Sequence, residues 1–126
     1  MTLTEKELIR KARMMFQRMK KRRAVKEAVA GLQDISIRFD LIGHAPEVRF
    51  VLAIEDGELR FITDRVYADL AVGIQREYFL ELIERPPGRC GKRLLSNIFL
   101  RNGAVGDFKR LKPVFMAFLG GRNSRE

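Results

Sequence analysis

The sequence predicts an α+β fold: a five-stranded, mainly antiparallel sheet with helices packed on one face. Three observations lead there. Apolar residues recur at helical spacing as far as Leu32, at every second position from Ile35 to Ile74, and again at helical spacing around Phe79 and from Ala104 to Phe118. The pair Asp56-Gly57 between two alternating runs carries the signal of a tight hairpin. The 126 residues contain no internal repeat, low-complexity linker or Pro/Ser-rich hinge, so these layers belong to a single domain. Within it we distinguish a basic N-terminal helix over 1–23, a body over 24–119 and a C-terminal tail over 120–126.

Each element follows from local chemistry. Thr4 and Glu7 have the spacing of a capping box, and Leu8, Ala12, Met15 and Met19 form one stripe flanked by Ile9 and Phe16. The next apolar set, Val25, Ala28, Val29 and Leu32, points to another side, which predicts a break near Lys20 to Arg23. Strands follow at Ile35, Ile37, Phe39 and Leu41, then at Val48, Phe50, Leu52 and Ile54 beyond a turn at Gly43 to Pro46. Leu59, Phe61 and Thr63 make a third strand, and Leu70, Val72 and Ile74 a fourth after a turn at Asp64 to Tyr67. Read in order, these four form an antiparallel meander that buries one face. Gln75 to Arg85 is a helix stopped by Pro86-Pro87-Gly88, Lys92 to Ser96 a helical turn, and Asn97 to Asn102 a fifth strand with Ile98 and Leu100 inward. The last helix follows Gly103, with Pro113 inside it predicting a kink or a late start, because proline donates no hydrogen bond to residue 109.

Composition narrows the function. There are 25 Lys+Arg against 16 Asp+Glu, and residues 1 to 26 hold ten of the bases and two acids, so +8 of the formal +9 lies in that segment. A basic segment on a nearly neutral body suits an anionic surface, either lipid headgroups or nucleic-acid phosphate. A lone Cys90 and a lone His44 provide no disulfide and no Cys/His zinc site, and no cofactor motif is present. Without an 18-residue apolar run or an apolar signal region, the chain reads as soluble and cytoplasmic.

Enzymatic readings have little to stand on. Ser36, Ser96 and Ser124 form no nucleophile elbow, His44 sits in a turn between strands with Asp40 nearby in sequence, and Glu81 and Glu84 are the wet side of a helix. Cys90, next to Arg89 and near Lys92, reads either as a reactive thiol of lowered pKa or as a bystander, the second being favoured. The Gly88-Arg89-Cys90-Gly91 run has the outline of a phosphate-clamping loop, but Pro86 and Pro87 precede it, and it lacks the spacing of a Walker loop. The expectation is a non-catalytic protein.

Several runs together resemble the sterol carrier protein type 2 domain. They are FDLIG from Phe39, VRFVLAIEDGELRF from Val48, ADLAVGI from Ala68 with the helix EYFLELI, and LRNGAVGDFKRLKPVF from Leu100. The likeness spans about residues 24 to 119. It implies a sterol-carrier-like sheet whose helices enclose an apolar tunnel for a lipid or fatty-acyl chain, in a module that binds or transfers lipid and does no chemistry. The glycine that opens the last helix is Gly103 or Gly106, with the spacing to Leu111 and Phe115 favouring Gly103; Pro113 departs from the family pattern.

The candidate ligand-lining residues are Phe39, Phe50, Phe61, Phe79, Ile83, Phe108, Leu111, Phe115 and Phe118, which would equally build a closed core. Arg10, Lys11, Arg13, Arg18, Lys20, Lys21, Arg22 and Arg23 are the candidates for contact with an anionic membrane or partner, since most of that charge lies opposite the Leu8 stripe. The alternative is a nucleic-acid or protein-interaction module that uses the basic helix around a solid body.

Overall fold

The computed structural model describes residues 4–43, 47–84 and 98–120, with side chains described for 4–43, 47–81 and 98–117. Helices α1 (Glu5–Met19) and α2 (Arg23–Ala30) lead into strands β1 (Ile35–Ile42), β2 (Val48–Glu55), β3 (Glu58–Ile62) and β4 (Leu70–Gln75). Helix α3 (Arg76–Glu84), strand β5 (Ile98–Asn102), and helices α4 (Val105–Arg110) and α5 (Lys112–Gly120) complete the described chain. His44, the Gly88 to Gly91 run with Cys90, the turn expected at Lys92 to Ser96, and Ser124 lie outside the described residues.

The first helix begins as its sequence requires. The Thr4 N–H donates to Glu7 Oε1 at 2.9 Å and the Glu7 N–H donates to Thr4 Oγ1 at 3.2 Å, a reciprocal capping box. Chiefly because the Thr4 backbone N–H bonds the charged form, the Glu7 carboxyl is held below its ordinary value of 4.5. A carboxyl lowered in the folded state contributes stability above its unfolded pKa, and that contribution is lost as pH falls through the folded value. We therefore expect Glu7→Gln to unfold at a temperature less sensitive to acidification between about pH 6 and about pH 3 than the parent, as followed by circular dichroism; identical acid dependence would refute the role. After Met19 the chain tightens through Lys21 N–H to Arg18 O (3.3 Å) and Arg22 N–H to Met19 O (3.0 Å), and extended Arg22 restarts it as α2, so the expected break is present.

The five strands lie in the order β3-β2-β1-β4-β5. β1 pairs antiparallel with β2, and β2 with β3 through a hairpin whose Asp56 and Gly57 have φ of 54° and 77°. Both central residues are thus left-handed, as a tight twisted turn demands. The meander ends there. β4 does not return beside β3 but runs parallel to β1 on its other side, with β5 antiparallel at the far edge.

The segment expected to be a turn, together with its neighbours from Thr63 to Asp69, is a crossover over two strands. It manages in seven residues because its ends are level: Ile62 pairs with Val51, Val51 with Arg38, and Leu70 with Ile37 beside it. Only about 14 Å of sideways travel is needed, from three strand spacings, within the roughly 25 Å that seven extended residues span. Its end is fastened where Asp69 Oδ2 accepts from the Ser36 N–H (2.9 Å) and hydroxyl (3.2 Å), while the Asp69 N–H donates to Ser36 Oγ (2.9 Å).

The crossover corrects a second expectation, that one sheet face alone is buried. The helices cover the face of Ile37, Phe39, Phe50, Leu52, Val72 and Ile74, yet Val51, Ala53 and Asp40 on the other face are also fully buried. The Arg38 guanidinium reaches up to the Val66 carbonyl in the crossover (3.3 Å) and clasps Asp40 through Nε (2.8 Å) and Nη2 (3.0 Å). Arg101 donates to the same carboxylate at 3.1 Å and Arg49 lies 3.6 Å away. On the same face of β4 the Phe99 ring lies over Gly73, where a Cβ would collide with it.

On the helix-covered side, α1 packs on β2 and α3, α2 on β3 and α5, and α3 on β1 and β4. Of the kink or late start expected from Pro113, the structure shows an interruption of the helix. α4 closes at Leu111, whose N–H bonds Phe108 O at 3.1 Å, and α5 restarts with Pro113 in its first turn, where a missing N–H costs nothing.

Candidate functional site

The aromatic rings meet between the layers. Phe39 and Phe50, partners across β1 and β2, stack at 5.3 Å between centroids, and Phe50 stacks on Phe61 of β3 at 4.9 Å. Phe16 from α1 closes on Phe50 and Phe61, each at 5.8 Å, and Phe79 from α3 reaches Phe50 at 5.7 Å. Phe115 meets Phe39 edge-on at 6.3 Å and Phe108 at 5.8 Å. Offset and edge-on pairs at these separations are the favoured aromatic arrangements. A gap remains between sheet and α5, lined by Ile35, Ile37, Leu52, Ile54, Leu59, Leu111, Val114 and Phe115, but its volume is about 10 Å³, the scale of one water. Among the described residues this part of the layer is filled.

Larger spaces open at the edge of the sheet. A furrow of about 390 Å³ wraps the edge of β3 beside α1, lined by Phe16, Leu52, Leu59 and Phe61 on the helix side, by Ile62, Arg60, Arg65 and Glu55 around the edge, and by Arg13 and Lys20 from α1 and its end. A second, of about 430 Å³, continues between α2 and the β2–β3 hairpin past Val25, Val29 and Lys26, and the two share Lys20 and Leu59. Lys20 Nζ donates to the Leu59 carbonyl at 3.4 Å, and the Arg13 guanidinium lies 5.3 Å above the Phe61 ring.

No family model matches the chain, and no curated protein matches it. Solved structures do. A crystal structure of sterol carrier protein 2 superposes with a TM-score of 0.63 over 86% of this chain and 90% of that one, at 13% identity. The solution structure of a conserved hypothetical protein from Thermus thermophilus, described there as a candidate sterol carrier protein, gives 0.54 over 78% and 73%, at 17% identity. The chain has a sterol-carrier-like fold.

Within that sterol-carrier-like fold, Phe39, Phe50, Phe61, Phe79, Phe108, Leu111 and Phe115 face one layer, with Phe61 and Phe108 half-buried; the side chains of Ile83 and Phe118 lie outside those described. Phe16 is not among the candidates named from sequence, though it joins the layer at its centre. The signal is present: Leu8, Ala12 and Phe16 are spaced by four, on the same stripe of α1. Of the basic candidates, Arg10, Arg13, Arg18, Lys20, Lys21 and Arg23 are exposed, while Lys11 and Arg22 are half-buried. The Leu8 stripe itself is packed into the domain, with Leu8 and Ala12 at 0% exposure, so α1 turns a mostly charged side outward, with Met14 among it. No described helix is long and apolar enough to cross a membrane, and no cluster of His, Cys, Asp or Glu suited to a metal occurs among the described residues.

Proposed function

We propose that the protein is a non-catalytic carrier that binds a lipid or fatty-acyl ligand in the apolar layer between sheet and helices, and that its basic first helix docks it on anionic membranes. The observation that carries this reading is the shared layer of phenylalanines, drawn from α1, three strands, α3 and the C-terminal helices, on a fold that resembles sterol carrier protein 2. Each methylene moved from water into such a layer gains about 0.8 kcal/mol. The gap beside α5 is about 10 Å³, so an acyl chain entering there has to part the layer. The C-terminal corner is the natural place, since α4 contributes no buried residue and the helix is interrupted at Leu111. Docking rests on the exposed cations alone, each contributing about 1 kcal/mol near an anionic surface at moderate salt.

The test is uptake of a fluorescent fatty acid, displaced by unlabelled apolar ligands, with acyl lipids found by mass spectrometry in the purified protein. Binding to anionic liposomes is expected to disappear at high salt. Absence of uptake, with salt-dependent retention of RNA in its place, would favour the nucleic-acid alternative.

A further inference from the structure

We propose that the furrow along the free edge of β3 binds a long-chain carboxylate, with the carboxylate at Arg13, Arg60 and Arg65 and the chain running past Leu59 toward Val25 and Val29. The inference rests on the lipid-binding reading but places the site outside the ring layer.

Space is the first argument. The two compartments measure about 390 and 430 Å³ and meet at Lys20 and Leu59, whereas the gap between sheet and α5 holds about 10 Å³. Ligand sites commonly occupy roughly 300 to 1,000 Å³. The furrow therefore accepts a chain without parting the core.

Charge decides the head. Four cations, Arg13, Lys20, Arg60 and Arg65, border the first compartment against the single carboxylate of Glu55. Arg60 and Arg65 share that carboxylate at 3.7 and 3.4 Å, and Arg60 also lies 3.9 Å from Glu58. Among the described residues no carboxylate pairs with Arg13, whose guanidinium rests on the Phe61 ring. An anion entering here meets uncompensated positive charge beside the apolar surface of Phe61 and Leu59. The second compartment supplies the apolar end through Val25 and Val29. A peptide strand suits the edge less well, because Lys20 already holds the Leu59 carbonyl that an added strand would use.

The test compares sodium dodecanoate with dodecanol on the full chain at low salt, by calorimetry and by methyl NMR. Dodecanoate should bind at least about tenfold more tightly, the scale of a charge-assisted hydrogen bond, and shift Ile62 and Val25 more than Val114 and Leu111. Arg13→Gln should lower dodecanoate affinity about fivefold to tenfold and leave dodecanol unchanged, with Arg13→Lys recovering most of the loss; Arg13 is exposed, so neither change threatens folding. Equal affinity for the two probes overturns the proposal. Shifts at Val114 and Leu111 with none at Ile62 also overturn it while leaving interior lipid binding intact, and failure of both probes to bind overturns both readings.

Discussion

Phe50→Ala is expected to lower the unfolding free energy by about 3–5 kcal/mol, the range for truncating a buried phenylalanine. Phe50 is 1% exposed and its ring meets those of Phe16 on α1, Phe39 on β1, Phe61 on β3 and Phe79 on α3. Those neighbours sit on separate elements of a rigid sheet and two anchored helices, so they are poorly placed to collapse into the space left behind. Transfer and cavity costs therefore add. In a chain of this size the melting temperature should fall by roughly 10–20 °C. Phe50→Leu, which keeps much of the volume, should lose distinctly less. Chemical denaturation followed by far-ultraviolet circular dichroism measures both, and a loss below about 1 kcal/mol for the alanine variant would mean that the rings do not interlock as described.

Gly103→Ala should cost about 3 kcal/mol, because two penalties of about 1–3 kcal/mol coincide, one for left-handed backbone and one for overpacking. Gly103 has φ of +106°, and a Cβ there would fall 2.5 Å from Leu70 Cδ2, 2.8 Å from the Asp69 carbonyl oxygen and 3.2 Å from Leu70 Cα. Neither neighbour can give way. Leu70 is fully buried, and Asp69 is tied to Ser36 by three hydrogen bonds. The informative comparison is Gly106→Ala, three residues on inside α4, where nothing lies within 4 Å of the added methyl and φ is ordinary. That change should stabilise by about 0.5–1 kcal/mol through helix propensity and loss of unfolded-state freedom. Similar effects at the two glycines would contradict the close approach of the β5 end to Asp69 and Leu70.

Those glycines also show how much is legible in the sequence. The count from Gly103 to Leu111 and Phe115 points to the right glycine, because a helix records its apolar face in its own spacing. The break after Met19, the turn at Asp56-Gly57 and the restart at Pro113 are legible for the same reason, each being set by residues within a few positions of one another. The partner of β4 is not. Alternation tells a strand which of its faces is apolar, and says nothing of which strand lies beside it. Seven residues between Ile62 and Leu70 have the length of a hairpin loop, and only the shared level of those two residues allows them to serve as a crossover. The site divides along the same line. The phenylalanines of the layer can be named from their stripes, whereas the charge that dominates α1 draws attention away from Phe16.

The amino-acid order by itself determined the kind and place of each element, the caps and breaks between them, the single apolar face of each helix and the concentration of positive charge as far as Lys26. Tertiary structure decided what those faces meet: that α1 buries its stripe in the domain, that the second sheet face is roofed by the crossover and by arginines gathered on Asp40, and that open space lies along the β3 edge while the gap beside α5 is narrow. The physical reason is range. Propensity, capping and turn chemistry act over a turn or two of chain, whereas the choice between a filled interior and an open furrow depends on side-chain volumes brought together from segments dozens of residues apart.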